Sequence, residues 1–157
     1  MLVSSIKISS PRIYTSSLQP ASVMMIDREG RQKASYVFNQ TSLCDQPRRI
    51  VNSGGLMWIS CLGGPTAEPC VLQMNVSSGA VITILNLFQC SLPDHLSVTH
   101  DHEEVIITCE SEVYAYNYSS EFPHPSASVV LNATECLQPY AAIRDPISGW
   151  LINIAAC

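Results

Sequence analysis

Charged residues are scarce in this sequence. They make up 13% of the 157 residues, against 46% apolar residues, whereas an average soluble domain carries about 25% charged residues. So apolar a composition excludes a solvated, disordered chain. The formal net charge is -5, from 8 basic and 13 acidic residues, and no basic run exceeds the pair Arg48-Arg49. The chain therefore lacks the basic surface expected of a nucleic-acid-binding protein.

Long apolar runs are also missing. No window approaches the roughly 18 uninterrupted apolar residues of a membrane span. The N-terminal residues MLVSSIK lack the apolar stretch of a signal peptide. These absences predict a cytoplasmic protein that does not span a membrane.

A metal-binding cysteine pattern is the third absence. The seven cysteines include no C-x-x-C pair, and no Cys/His cluster has the spacing of a structural zinc site, which excludes a zinc finger. Because the cytosol keeps thiols reduced, the sequence predicts buried thiols that pack as small apolar side chains. The cysteines are Cys44, Cys61, Cys70, Cys90, Cys109, Cys136 and Cys157.

No segment shows the apolar i, i+3, i+4 spacing of a helix without an interrupting Pro or Gly. Short runs of β-branched, aromatic and aliphatic residues instead lie between Gly, Pro, Asn and Ser, a pattern typical of strands and turns. Three kinds of segment recur in the same order, 42 to 48 residues apart. They cover residues 34–39, 80–86 and 127–132; residues 23–27, 71–75 and 113–117; and residues 58–61, 106–109 and 150–157. The sequence therefore predicts an all-β repeat protein.

A period in the mid-forties with four strands per unit matches a β-propeller blade. In the best-defined unit we expect strands at Leu96–Thr99, Val105–Cys109, Val113–Tyr118 and Ser128–Leu131. The predicted division is a blade remnant at about 1–39, blades at about 40–90 and 91–133, and the start of another at about 134–157. Closed propellers usually have four to eight blades, so this incomplete propeller of three to four blades is expected to pair its open edges. The remaining blades of a parent propeller or a second copy would cover them.

One recurring corner resembles that of a WD repeat. The run MNVSSG, residues 74–79, is similar to W-D-x-x-[ST]-G, with Met74 in the place of Trp and Asn75 in the place of Asp. Asp27 and Asn117 lie in degenerate versions of the same corner, where a short polar side chain satisfies the turn backbone. The sequence departs from the family in having no Trp-Asp pair and no Gly-His pair, so the family's hydrogen-bond network among those residues is not implied.

A second resemblance concerns Leu56–Cys61, with the sequence LMWISC, and the loop and apolar strand after it. These residues are similar to blades at the C-terminus of certain Rho-family guanine-nucleotide exchange factors and of kinesin-linked JNK-interacting scaffold proteins. Such propellers bind partner proteins and do not perform the exchange reaction. The resemblance implies a non-catalytic, intracellular signalling or trafficking scaffold that needs no cofactor.

Partners of propellers commonly dock on loops between the second and third strands and on loops between blades. Here those loops are Leu62–Pro69 and Thr41–Arg49. Loops on a rigid scaffold carry function, and the sequence nominates five of their residues for protein binding. They are Arg48, Arg49, Pro65, Glu68 and Pro69.

Two features keep other functions open. Four N-x-[ST] acceptors would suit an N-glycosylated extracellular binding domain, although turn chemistry repeated in each blade also explains them. His100 and His102 alternate beside acidic residues and would share a metal in a propeller enzyme, although a polar turn explains the same run, so we predict no metal or catalytic site. The acceptors are Asn39, Asn75, Asn117 and Asn132.

Overall fold

Every regular element in the described part of the chain is a β-strand, which confirms the all-β prediction. The computed structural model describes residues 3–9, 12–18, 21–27, 29–38, 43–64, 67–86, 90, 92–99, 104–110, 112–118, 128–131, 138–144, 147–148 and 151–156. Among these residues no helix has the length and apolar character needed to cross a membrane.

In the described ranges, fourteen strands form four antiparallel sheets, and hydrogen-bonded neighbours follow one another along the chain. The first sheet contains β1 (Val3–Ser9), β2 (Arg12–Leu18), β3 (Ala21–Asp27) and β4 (Gln32–Val37). The second contains β5 (Pro47–Ser53), β6 (Leu56–Cys61), β7 (Cys70–Asn75) and β8 (Val81–Asn86). The third contains β9 (His95–Val98), β10 (Glu104–Thr108), β11 (Val113–Asn117) and β12 (Ser128–Leu131). The fourth pairs β13 (Gln138–Arg144) with β14 (Leu151–Ala156).

The recurring segments occupy equivalent strands. Those at 58–61, 106–109 and 150–157 contribute to the second strand of a sheet, those at 23–27, 71–75 and 113–117 to the third, and those at 34–39, 80–86 and 127–132 to the fourth. The strands predicted for the best-defined unit match β9 to β12 within one residue at each end. Residues 3–37 form a sheet of four strands, where the sequence suggested only the remnant of a blade.

The chain divides into two compact units, Met1–Asn86 and Leu87–Cys157. In the first unit, β5 packs on β1 and β2, and in the second unit, β13 packs on β9 and β10. The first strand of the later sheet thus contacts the first two strands of the earlier sheet in both units.

The first unit has an apolar core between its two sheets. Val23 of the first sheet and Met57, Ile59 and Leu72 of the second are fully buried in one cluster. Burial of such a side chain stabilises a fold by about 1.5 to 3 kcal/mol. The Tyr36 hydroxyl also crosses between the sheets and donates to a backbone carbonyl of the second sheet's β7–β8 turn over 2.8 Å.

The second unit has a smaller described core. Ile106, Val113 and Ala115 of the third sheet pack with Ala142 of β13. The Ser97 hydroxyl donates to the Ala142 carbonyl over 2.7 Å. Each unit therefore joins its two sheets by apolar packing and by a hydroxyl that bonds to the backbone of the other sheet.

Four of the predicted thiols are instead disulfide-bonded. Cys44 pairs with Cys61 and Cys90 with Cys109, with Cα–Cα distances of 5.3 and 5.4 Å, inside the range that a disulfide spans. In each pair the segment entering a sheet runs beside the end of that sheet's second strand. The prediction of a buried thiol is confirmed for Cys70, which forms no disulfide. Cys136 and Cys157 lie outside the described residues.

Candidate functional site

Two loops lie together at one end of the second sheet. One comprises residues 43–46 before β5, and the other comprises residues 62–69 between β6 and β7; we call them the clamped loops. The Cys44–Cys61 disulfide ties the first loop to the last residue of β6, directly before the second loop, and the Leu62 amide donates to the Gln46 carbonyl over 3.2 Å. The structure therefore brings together the two loops that the sequence predicted for partner binding.

Two glycines allow this close approach. Gly63 has a φ of 77°, and a Cβ there would lie 2.7 Å from both the Ala67 carbonyl oxygen and the Pro69 nitrogen. A Cβ on Gly64 would lie 2.2 Å from a carboxylate oxygen of Asp45, across the loop pair. The Gly64 amide donates to the Ala67 carbonyl over 2.8 Å and closes the turn. A side chain at 63 would therefore collide with the loop backbone, whereas a side chain at 64 would displace the Asp45 carboxylate.

Gln46 adopts a strained backbone. Its φ is 53°, and no other non-glycine residue in the described ranges has a positive φ. This left-handed region costs an L-residue roughly 1 to 2 kcal/mol, and such strain persists only where the surroundings hold it. Here the neighbouring disulfide and the hydrogen bond from Leu62 hold it, so the first clamped loop is fixed before any partner arrives.

Acidic side chains lie on the described part of the clamped loops. Glu68 and Gly64 are exposed, while Asp45, Ala67 and Pro69 are half-buried. Among the described residues of these loops the two charged side chains are thus carboxylates, Asp45 and Glu68, which complement positive charge and hydrogen-bond donors.

The five residues nominated by the sequence do not share one environment. Glu68 and Pro69 lie in the second clamped loop, and Pro65 lies outside the described residues. Arg48 and Arg49 belong to β5 and not to a loop, because Pro47 already pairs with Cys61 at the edge of the sheet. Both arginines are half-buried, so their expected place in an exposed loop was wrong.

Loop length distinguishes the clamped loops from their counterparts. The connection between second and third strands spans residues 62–69 in the second sheet, 19–20 in the first and 109–112 in the third. A turn of two to four residues suffices to join neighbouring antiparallel strands. The connection in the second sheet is therefore longer than the pairing of its two strands requires.

The predicted repeat corners all lie at the end of a third strand: Asp27 ends β3, Asn75 ends β7 and Asn117 ends β11. The Asn75 side-chain oxygen accepts from the amides of Ser77 and Ser78 at 2.9 and 3.0 Å. This hydrogen bonding fixes the turn into β8, so the side-chain oxygen of Asn75 has a structural use.

Asp27 also accepts hydrogen bonds from backbone amides of the turn that follows it, but with a charged carboxylate. One carboxylate oxygen accepts from the amides of Glu29 and Arg31 at 3.1 and 2.8 Å, and the other meets the Arg31 guanidinium at 2.8 Å and the Lys33 ammonium at 3.2 Å. Desolvation raises the pKa of Asp27, but the hydrogen bonds from Arg31 and Lys33 outweigh it and hold that pKa well below its usual range. Asp27 is therefore ionised at neutral pH.

Cys70 is a poor nucleophile. It pairs directly with Cys61 across β6 and β7, and its Sγ donates to the Leu43 carbonyl over 3.3 Å. Burial raises the pKa of the thiol to about 11, so almost none of the reactive thiolate forms at neutral pH.

The described residues contain no cluster of side chains that could bind a metal ion. No group of three or more His, Cys, Asp or Glu side chains is placed there to hold an ion. His100 and His102, together with acceptors Asn39 and Asn132, lie outside the described part of the chain.

No family model and no curated protein matches the chain. Among solved structures, hydrazine synthase of Kuenenia stuttgartiensis is similar over 96% of this chain and 41% of its own, with a TM-score of 0.75 and 12% identity. PorZ, an essential bacterial surface component of the type-IX secretion system of Porphyromonas gingivalis, is similar over 89% of this chain and 18% of its own, with a TM-score of 0.57 and 12% identity. At such identity the likeness shows the fold alone, and the chain spans less than half the length of either structure.

The disulfides are the feature of this site that composition and motifs missed. A signal was nevertheless present, because Cys44 and Cys90 are 46 residues apart and Cys61 and Cys109 are 48 apart. Cysteines that recur with the period of the repeat occupy equivalent places in successive sheets, and equivalent places pair in the same way.

Proposed function

We propose that this chain is a non-catalytic protein-binding module built from β-propeller blades. Sequential four-stranded antiparallel sheets, stacked first strand on first and second strands in each unit, are what blades around a common axis require. With three four-stranded sheets and one strand pair described, a closed propeller would need strands beyond these.

One observation carries the assignment of the binding surface. The 62–69 connection is longer than its counterparts. Gly63 packs against the backbone of its own loop, and the Cys44–Cys61 disulfide and the strained Gln46 hold the neighbouring 43–46 loop. A preorganised loop loses less conformational entropy on binding. We assign partner binding to the clamped loops, with Glu68 and Pro69 as contact residues and a positively charged protein surface as the partner.

The two disulfides favour an extracellular or other oxidising compartment over the cytosol, because disulfides persist where thiols are not continually reduced. The N-x-[ST] acceptors at Asn75 and Asn117 suit the same location. These features support our proposal of a binding domain outside the cytosol. The cytoplasmic location and the resemblance to exchange-factor propellers stay predictions of the sequence.

Site-specific photo-crosslinking tests the binding surface. A benzophenone amino acid is placed at Glu68, and at exposed Glu110 in the other unit as the matched control. We expect a discrete covalent adduct with a partner from the Glu68 position and none from Glu110. The partner identified by mass spectrometry should then bind at least tenfold more weakly to Glu68→Lys and unchanged to Glu110→Lys. Equal crosslinking at both positions, or unchanged affinity of Glu68→Lys, would overturn the proposal.

A further inference from the structure

The two disulfides occupy equivalent places in successive sheets. The first cysteine of each pair lies in the segment that enters the first strand, β5 or β9. The second lies at the end of the second strand: Cys61 is the last residue of β6, and Cys109 directly follows β10. Each bond closes a similar loop, with sequence separations of 17 and 19 residues.

The same cysteine spacing continues into the fourth sheet. Cys136 follows Cys90 by 46 residues, the spacing between Cys44 and Cys90, and Cys157 follows Cys109 by 48, the spacing between Cys61 and Cys109. Both equalities are exact to the residue. Two independent series with the repeat's own period place Cys136 and Cys157 as counterparts of the bonded pairs.

The neighbouring strands support this correspondence. Cys136 precedes β13 by two residues and Cys157 directly follows β14, as Cys109 directly follows β10. The pairing of Gln138 with Ala156 sets the start of β13 beside the end of β14, as the pairing of His95 with Thr108 does for β9 and β10. The described register thus sets the residue that lies two positions after Cys136 opposite the residue directly before Cys157.

We propose that Cys136 and Cys157 form a third disulfide, so that each of the second, third and fourth sheets carries one. Both cysteines lie outside the described residues, and their pairing is inferred from the sequence and from β13 and β14. This pairing also explains the odd cysteine count. Cys70 begins β7 whereas Val113 begins β11, so Cys70 has no repeated counterpart and is left as the one thiol of the chain.

The bond forms by thiol–disulfide exchange with an oxidised dithiol oxidoreductase. The Cys136 and Cys157 thiols together lose two protons and two electrons as the S–S bond forms, and the enzyme's disulfide is reduced to two thiols. The inference is independent of the proposed binding function, since it concerns how the sheets are closed and not what they bind.

The positions of the basic residues allow a tryptic peptide map to test whether Cys157 is disulfide-bonded. After Arg49 the next Lys or Arg is Arg144, so trypsin releases residues 145–157, whose sole cysteine is Cys157, from a long peptide that contains Cys136. The full chain is produced in an oxidising compartment, denatured without reductant, alkylated with N-ethylmaleimide and digested. We expect one alkylated thiol per chain and a 145–157 peptide that is released only by reduction.

Two variants identify the cysteine that is bonded to Cys157. In Cys136→Ala the 145–157 peptide should be released without reduction and should carry N-ethylmaleimide. In Cys70→Ala it should stay linked, and the chain should carry no alkylated thiol. Three alkylated thiols in the unaltered chain, or a linked 145–157 peptide in Cys136→Ala, would overturn the third disulfide.

Discussion

The second and third sheets share a disulfide and differ in the loop beside it. Cys44–Cys61 and Cys90–Cys109 each tie the entry of a sheet to the end of its second strand. The next connection spans residues 62–69 in the second sheet but only 109–112 in the third. In the third sheet the Cys109 amide donates to the Glu112 carbonyl over 2.8 Å and closes a tight turn. The disulfide is therefore part of the architecture common to both sheets, whereas the longer loop, to which we assign binding, belongs to the second sheet alone of these two.

Removing either disulfide gives the largest expected effect. Closing loops of 17 or 19 residues stabilises a protein by about 3 kcal/mol. The double variants Cys44→Ala/Cys61→Ala and Cys90→Ala/Cys109→Ala should therefore lose similar amounts of unfolding free energy, as measured by denaturant titration. Cys70→Ala is the control, because it removes a buried sulfur without opening a loop. A loss from only one double variant would show that the two disulfides are not equivalent.

The glycines of the second sheet give the next largest effect. Gly63 and Gly54 both have positive φ, of 77° and 58°, but a Cβ on Gly54 meets nothing within 4 Å. Gly54→Ala should therefore cost about 1 kcal/mol, the price of an L-residue in the left-handed region. Gly63→Ala adds a collision with the loop backbone and should cost at least about 2 kcal/mol. Equal losses would mean that the 62–69 loop moves freely to admit a side chain.

Sequence reasoning recovered what depends on local pattern. The strands of the third sheet were predicted within one residue because alternating apolar runs and turn residues lie next to each other in the chain. The disulfides join residues 17 and 19 apart, and they contradict the thiols predicted from a cytosolic location, where cysteines are kept reduced. Arg48 and Arg49 were predicted at the end of the loop Thr41–Arg49, but β5 already begins at Pro47, since Pro is tolerated at the first residue of a strand.

The free thiol beside the Cys44–Cys61 disulfide predicts a pH effect of a cysteine that has no counterpart in the third sheet, where Val113 begins β11. Burial raises the pKa of Cys70 to about 11 from its ordinary 9.0. The folded protein therefore disfavours the thiolate, and stability present below pH 9 should fall as the pH rises towards 11. The expected contribution is on the order of 1 kcal/mol. Denaturant titrations at pH 8 and pH 10.5 should show a smaller decline in Cys70→Ala than in the unaltered chain; parallel declines would contradict the assignment.

The repeat corners extend the comparison to charge and give the smallest expected effect. Asn75 and Asp27 accept backbone amides in the same way, but only Asp27 also pairs with Arg31 and Lys33. Asp27→Asn should therefore keep the turn and lose only exposed ion pairs, which are weak and screened by salt. Because the pKa of Asp27 is lowered in the folded protein, its stabilising contribution is present above the ordinary aspartate pKa and is lost as the pH falls below it.

Salt titration of thermal unfolding at pH 7 should show a difference between Asp27→Asn and the unaltered chain at low ionic strength that disappears at high ionic strength. A difference that persists at high salt would mean that the carboxylate supports the corner by hydrogen bonding that the amide cannot replace, and that the two corners are not equivalent.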